Sequence, residues 1–517
     1  MSGALAGVAV ADRALLPARQ WLDRTTGRVT MYRLVTLSLA VLAAVAVVLG
    51  AAGLLPFAPL DLFVSAGVAV ASTLVANRVL AMVFRTRPHT ESSIITGLLL
   101  FFLFWPSLLP GDLAVLALAG AAASASKYLV AWRGRHILNP AAAGATVIAV
   151  AQLNGAVWWV ASAVLLPVVL LGALLVLYRT RRLPMGIVFV AVSGILLTAR
   201  LMAGGQDAAG AFSTAFASYP IVFFVGFMLS EPLTLPPRRR QQLVLAAVVG
   251  VLFTVPFAFG PVFLSFEFAL LVGNVLAFLV GQRRGVRLHF EGRRRLTPTA
   301  WEFSFQPQRP IAFRPGQYVE LTVPHSGSDG RGSRRTFSIS SAPSATGPVT
   351  VALRMPENAS SFKRALLDLA PGATLQATSV GGDFLLPRDT ARPLLLVAGG
   401  IGVTPFLSQL AHDRAEGVDR DVVLVYSVAS VDELAFLDQL AGETVLLVSP
   451  APPLPLPGAW RWLGAGPITA ELLESSVPDL RDRAAYVSGA PSVVNDVRVA
   501  LRRLGVRRVT TDYFSGY

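Results

Sequence analysis

VAGGIGVTPF, Val397–Phe406, sets three glycines directly after an apolar run and directly before a helical pattern. There the backbone N–H groups of Gly399, Gly400 and Gly402, with the N-terminus of the following helix, can face a phosphate, and the missing side chains let a ligand approach. Thr404 and Pro405 suit the helix start. A tight strand–helix turn also needs glycine for backbone reasons, so the loop alone leaves phosphate binding and plain turn geometry both open. Around it, VVLVYSVASVDELAFLDQLA, TVLLVSP and AAYVSGAPSVVNDVRVALRRLG read as short apolar strands, some feeding helices. This pattern predicts a doubly wound α/β domain over residues 390–517.

Upstream the period changes. VRLHFEGRRRLTPTAWEFSFQPQ and GQYVELTVP alternate apolar and polar residues as half-buried strands do, which predicts an antiparallel β-barrel over residues 285–388. SRRTFSISS, Ser333–Ser341, falls on one of its strands. Arg335 could clamp a pyrophosphate, Phe337 could stack on an aromatic ring and Ser338 could hydrogen-bond a ring-edge nitrogen. The alternative is an ordinary strand with Phe337 inward and its polar neighbours in water.

The first half is different. The chain has 517 residues, of which 54% are hydrophobic and 14% charged, and a mean hydropathy of +0.61, too apolar for an ordinary soluble protein of this length. Apolar segments of roughly 17 to 25 residues, a length that spans a bilayer, lie near 35–54, 61–84, 92–109, 113–131, 138–151, 156–178, 184–201, 212–230, 243–259 and 262–281. Arginines alternate with them. Arg85 and Arg87, Arg133 and Arg135, Arg179 to Arg182, Arg238 to Arg240, and Arg283 to Arg287 fall in every second connection, and the connections between contain no Arg or Lys. With the excess on the cytoplasmic side, this pattern predicts a polytopic α-helical membrane domain of about ten helices over residues 31–282, preceded by a cytoplasmic tail, residues 1–30. Both termini and the C-terminal domains are then cytoplasmic, at the cell membrane.

The net charge of +14 permits nucleic-acid binding, but no aromatic-interleaved basic stripe accompanies it, so no nucleic-acid partner is expected. The absence of cysteine excludes disulfides and Cys-ligated zinc or iron–sulfur clusters. No metal site is predicted.

Taken in order, RRTFSISSAP, NASSFKRALLDLAPGATLQATSVGGDFLLP, VAGGIGVTPF, YSVASVDELAF, VSGAP and DYFSGY resemble the ferredoxin reductase superfamily. The resemblance implies an FAD-dependent NAD(P)H oxidoreductase. It implies Arg335, Thr336, Phe337 and Ser338 as the flavin motif, with Ser338 near flavin N5 and Phe337 replacing the commoner Tyr. Asn358, Ser360 and Ser361 fall where the family places further flavin phosphate contacts. Gly399, Gly400, Gly402, Thr404 and Pro405 match its pyridine-nucleotide loop, and Gly489 and Pro491 match a later turn beside the nicotinamide. Phe514 or Tyr517 would cover the flavin face. Hydride transfer requires positioning more than proton transfer, so no acid–base dyad is expected. Ala429 and Ser430 stand where an NADP-binding Arg is common, followed by Asp432 and Glu433, which leans towards NADH over NADPH.

The only histidines of the helical region, His89 and His136, lie at predicted cytoplasmic ends beside arginines, which argues against axial haem ligands. SSIITGLLL, HILNPAAAG, LLGALLVLYRTRRLPMGIVFV, GFMLSEPLTLPPRRR and LLVGNVLAFLV instead resemble the D subunit of the Rnf complex and the related B subunit of the sodium-pumping NADH:quinone reductase. That family carries membrane-embedded flavins, one attached to Thr of a GAT-type motif. Here only QLNG separates the relevant helices, and the GAT at Gly144–Thr146 falls inside a helix, where a small-residue contact is the expected role. A second, non-covalent flavin between the helices remains open.

Asn139 and Glu231 are the membrane-domain candidates, since polar groups at membrane depth mark cavities or partners. The combined expectation is a membrane-bound NAD(P)H:acceptor oxidoreductase whose FAD passes electrons to a quinone, a flavin or an extracytoplasmic flavoprotein, with pyridine nucleotide and membrane lipid as its other partners. Two alternatives stay open: a flavin or ion transporter with a regulatory reductase domain, and a reductase whose helices are only an anchor.

Overall fold

The computed structural model describes residues 22, 29–86, 88–132, 135–259, 262–263, 265–281, 286–325, 333–506 and 508–514. The chain forms two compact units, Val29–Arg283 and a second built on Arg284–Tyr517.

The first unit is helical. Its helices are α1 (Met31–Ala51), α2 (Pro59–Val83), α3 (Thr90–Leu103), α4 (Pro110–Leu129), α5 (Pro140–Val150), α6 (Leu166–Arg179), α7 (Leu183–Ala203), α8 (Ala208–Ala217), α9 (Ile221–Leu229), α10 (Arg239–Thr254) and α11 (Ser265–Gly281). Every span expected from the sequence contains a helix, yet by length and composition only three of the described helices, α1, α2 and α7, suffice to cross a membrane. The bent pair α8 and α9 makes a fourth if it counts as one span.

Proline explains much of the shortfall. The third expected span stops at Leu103 before the prolines 106 and 110, and the sixth is helical only from Leu166, with Pro167 in its first turn. Ser218 to Pro220 break the eighth, whose halves bend by 46°.

Phe101, Phe102, Phe189, Phe223, Phe224 and Phe253 are fully buried at the centre of this unit. Its outside is apolar as well: Val48, Phe63, Leu171, Ile187 and Ile195 are between 61% and 73% exposed. A soluble bundle would place polar side chains there. Gly144 confirms the close-contact role of its motif, because a Cβ on it would come within 2.6 Å of Ala119 O and 2.8 Å of Ala123 Cβ on α4.

The second unit has two lobes. Strands β1 (Val286–Arg295), β2 (Ala300–Pro307), β3 (Tyr318–Thr322), β4 (Arg334–Ser338), β5 (Val349–Arg354) and β6 (Thr374–Gly381) form an antiparallel sheet ordered β4-β3-β6-β1-β2-β5. A bridge between Ile339 and Val351 joins the two edges, closing the sheet into a barrel around Phe290, Phe303, Phe305 and Phe362. Helix α12 (Ser361–Leu367) follows β5.

The other lobe is a parallel sheet of β7 (Leu394–Gly399), β8 (Val422–Ser427), β9 (Val445–Val448), β10 (Trp460–Trp462), β11 (Ala484–Gly489) and β12 (Val509–Tyr513), ordered β10-β9-β8-β7-β11-β12. Helices α13 (Thr404–Ala415), α14 (Ala470–Ser476) and α15 (Pro491–Arg503) belong to this lobe. Leu394 to Val397 on the central β7 are completely buried, as a parallel strand covered on both faces requires. The strand order reverses between β7 and β11, which opens a crevice at their carboxyl ends.

Candidate active site

That crevice continues into a cavity of about 800 Å³ between the two lobes of the second unit. Arg335, Thr336, Phe337 and Ser338 of β4 line it, as do Gly399, Gly400 and Gly402 after β7 and Pro491 at the start of α15. Phe514, just past β12, completes that wall, its backbone N–H donating to Gly489 O at 2.8 Å. Residues more than 150 positions apart in sequence therefore meet in one cavity.

The glycine loop has a packing reason. A Cβ on Gly402 would lie 2.5 Å from Ser488 O and 2.6 Å from Gly489 Cα, so only glycine lets the loop lie against β11. A Cβ on Gly400, at φ +54°, would meet nothing within 4 Å. The loop backbone thus faces open space, where a phosphate can approach the start of α13.

Not every expected residue lies on the cavity wall. Thr404 and Pro405 begin α13 but are buried behind the loop, with Thr404 Oγ1 donating to Ile401 O at 3.1 Å. Asn358 is exposed and outside the lining. Ser360 caps α12 by accepting from Lys363 N at 3.4 Å, and Ser361 Oγ lies 2.9 Å from His325 Nε2. Their serine hydroxyls shape α12 and the chain beside it. Gly489 supports the loop from below rather than lining the cavity. Tyr517 lies outside the described residues.

Charge is divided across the cavity. Arg335, Arg354 and Lys363 lie on its barrel side, and Asp512 and Glu433 on the other. Arg335 is only 8% exposed; its guanidinium carbon sits 5.2 Å from the centroid of Phe362, whose ring stacks with Phe337 at 5.9 Å. The two aromatic rings fix the direction in which the strand presents its cation.

One hydrogen-bonded pair links the two walls of the cavity. Ser338 Oγ donates to Asp512 Oδ2 at 3.3 Å, and burial raises the Asp512 carboxyl to about 6, against the opposing pull of that bond and of the Tyr513 backbone N–H. Asp512 was visible in DYFSGY, but its pairing with Ser338 depends on β12 lying beside β11 at the crevice, which spacing does not reveal. Arg354, Lys363 and Tyr318 are further wall residues that the sequence does not single out, and Glu433, noted above for its charge, lines the wall as well.

No family model matches the chain. It is 28% identical over 221 residues to NADH oxidoreductase HCR of Escherichia coli K12, across 42% of this chain and 64% of that protein. It is 30% identical over 223 residues to NADPH oxidoreductase of Mycobacterium tuberculosis H37Rv, across 42% of this chain and 54% of that protein. The chain is similar to ferredoxin-reductase-like FAD/NAD-binding oxidoreductases. It spans between about half and two thirds of the length of these curated relatives. Among solved structures, the flavohaem-like FAD/NAD-binding domain of nitric oxide dioxygenase from Vibrio cholerae matches 45% of this chain and 99% of its own length, at 21% identity and TM-score 0.38. One oxidoreductase relative is named for NADH and the other for NADPH, so the names do not divide the two nucleotides for the reductase-like unit.

In the helical unit the two candidate residues do meet. Glu231 accepts from Asn139 Nδ2 at 2.9 Å and lies 2.7 Å from His136 Nε2. Asn139 also caps α5 by accepting from Ala142 N at 3.1 Å, and its own N–H donates to Asn274 Oδ1 at 2.7 Å. One side chain thus both caps the helix and pairs with Glu231. A small cavity of about 50 Å³, lined by Asn139 and Glu231 with Tyr32, Ser92 and Phe227, adjoins them. His89 caps α3, its ring nitrogen accepting from Ser92 N at 3.2 Å.

Proposed function

We propose that the protein is a membrane-bound, FAD-dependent NAD(P)H:acceptor oxidoreductase. The observation that carries this reading is the single cavity in which Arg335 to Ser338 face the loop Gly399 to Gly402. Its size is that of a cofactor site, its barrel wall is cationic and its opposite wall has the open glycine backbone a phosphate needs. Arg335, Thr336, Phe337 and Ser338 would hold FAD, and Gly399, Gly400, Gly402 and Pro491 the pyridine nucleotide. Bound there, FAD supplies the chemistry that accepts a hydride and releases electrons one at a time.

The chain's own residues orient and protect that chemistry. Arg335 supplies charge and directional donors for a pyrophosphate. Ser338 and Asp512 hold an exchangeable proton at the Ser338 hydroxyl, and Phe514 shields the cavity from water.

The apolar exterior of the first unit, with three helices long enough to span, supports a membrane location. The alternating arginines support about ten crossings with both termini and the reductase-like unit cytoplasmic. The acceptor is then a quinone or flavin in or across the membrane. The Asn139–Glu231 cluster supports a polar ligand site between the helices, and a second, non-covalent flavin is the candidate cofactor there.

Purified full-length protein in detergent tests the reading. It should carry FAD that NADH or NADPH reduces without oxygen, and absence of bound FAD would overturn it.

A further inference from the structure

Two carboxylates of the parallel-sheet lobe reach across the cavity to hydroxyls of the barrel. One is Asp512, on Ser338. The other is Glu433, in the short turn Val431–Glu433 after β8, whose Oε2 accepts from Thr299 Oγ1 at 2.7 Å and from Thr297 Oγ1 at 2.9 Å, both in the turn between β1 and β2. Thr299 Oγ1 in turn accepts from Arg354 Nε at 3.1 Å, and Thr297 Oγ1 from Ala300 N at 2.9 Å. Glu433 and Arg354 line opposite walls, so a hydrogen-bonded chain Arg354–Thr299–Glu433 runs from one wall to the other. Pro298 and Asp432, beside it in sequence, are exposed, which puts this chain at an edge where water competes for its bonds.

Elsewhere the lobes are joined by buried contacts. Residues 382–393 connect β6 to β7, and Phe384 in that connection is 5% exposed, with the rings of Phe406 and Tyr486 each 5.5 Å from its own. Its carbonyl accepts from Gln409 Nε2 at 2.7 Å, and Tyr486 OH donates to Leu385 O at 3.0 Å. Ser408 Oγ donates to Ser341 O, just past β4, at 2.6 Å. Gly316, ahead of β3 and at φ +87°, lies so close to Phe384 O and the Gln409 amide that a Cβ would overlap both. This packed point is a pivot, and the Glu433 contact is the polar edge that gives when the lobes part.

Volume requires such a movement. A cavity of about 800 Å³ encloses one ligand of cofactor size, whereas the nucleotide-binding reading above, on which this rests, places two there, FAD and a pyridine nucleotide. We propose that the contact of Glu433 with Thr297 and Thr299 is a strap across one edge of the cavity, which releases to let the pyridine nucleotide in and out and remakes to hold the lobes closed over it. The two threonines lie outside the cavity lining, so they act on the nucleotide only through the strap.

The absence of cysteine allows a direct test. In the full-length protein in detergent, Thr299→Cys/Glu433→Cys is treated either with an ethylene-linked bis-thiosulfonate, which ties the lobes through two disulfides, or with methyl methanethiosulfonate, which caps both thiols and leaves the lobes separate. Flavin reduction by NADH and by NADPH is followed by stopped flow without oxygen, and dithionite, a small reductant, reports flavin that is still reducible. The tied protein should lose at least about tenfold in the concentration-dependent rate with nucleotide, keep its reduction by dithionite, and recover when a thiol cuts the ties. The capped protein and a separate Thr297→Val/Thr299→Val variant should both be reduced at least about threefold faster than wild type in that phase.

A tied protein that nucleotide reduces within about twofold of the wild-type rate overturns the proposal. So does a capped protein blocked as fully as the tied one, because the added atoms then obstruct the cavity, and so does a threonine double variant no faster than wild type. A wild-type flavin that neither nucleotide reduces overturns the oxidoreductase reading and the strap with it, whereas a reducible wild type with unaltered variants overturns the strap alone.

Discussion

Ser338 Oγ lies 3.3 Å from Asp512 Oδ2, which links the fourth barrel strand to the last strand of the parallel sheet across the cavity. The Asp512 carboxyl is raised to about 6 by burial, above its unfolded value. Between those two values the folded protein binds more protons than the unfolded chain. Asp512's contribution to stability therefore falls as pH rises from about 4 to about 6 and is level above that. Thermal melts of the full-length Asp512→Asn variant across this interval should lack that component of the slope.

Ser338→Ala removes the hydroxyl that donates to Asp512 while leaving the cationic wall intact. Flavin content should stay near wild type, and the rate of flavin reduction by NADH should fall by about tenfold or more. Stopped-flow absorbance under anaerobic conditions measures it, and a loss of flavin instead would make Ser338 a binding residue only.

Gly402→Ala places a methyl group 2.5 Å from Ser488 O, where backbone on both sides has to move. The cost should be about 1–3 kcal/mol, seen as a lower melting temperature and a raised KM for the nucleotide. Gly400→Ala meets no atom within 4 Å but must keep φ at +54°, so its penalty should be smaller, about 1 kcal/mol.

Glu231→Ala leaves Asn139 Nδ2 and His136 Nε2 without their carboxylate partner at 2.9 and 2.7 Å. About 1–3 kcal/mol of stability should be lost, measured by thermal unfolding in detergent. Glu231→Gln, which keeps an acceptor, should lose less.

The lobes of the second unit were legible in the sequence because their signals are local. Strands alternate in the barrel, run continuously apolar in the parallel sheet, and the glycine loop punctuates them. Arg335, Phe337 and the Gly399–Gly402 loop, read from local pattern in the same way, line the cavity. Asp512 was not selected, and Glu433 was read only for its charge, because the contacts that position each, with Ser338 or with Thr297 and Thr299, come from more than 130 positions away. Ser360, Ser361 and Thr404 stand out by motif, and in the structure Ser360 caps a helix, Ser361 meets His325 and Thr404 is buried behind the loop. In the helical unit hydropathy located every helix but overstated length, since prolines such as 167 and 220 reset helix boundaries inside apolar runs that still read as continuous.

Anaerobic titration of the purified full-length protein with NADH, following flavin absorbance, tests the central claim most directly. FAD should be present at about one per chain at this site, bleach on addition of NADH and be largely absent from Arg335→Ala, whose lost guanidinium is the charged anchor of the cavity wall. Flavin retained in full by Arg335→Ala, or a wild-type flavin that neither NADH nor NADPH reduces, would contradict the assignment of this cavity.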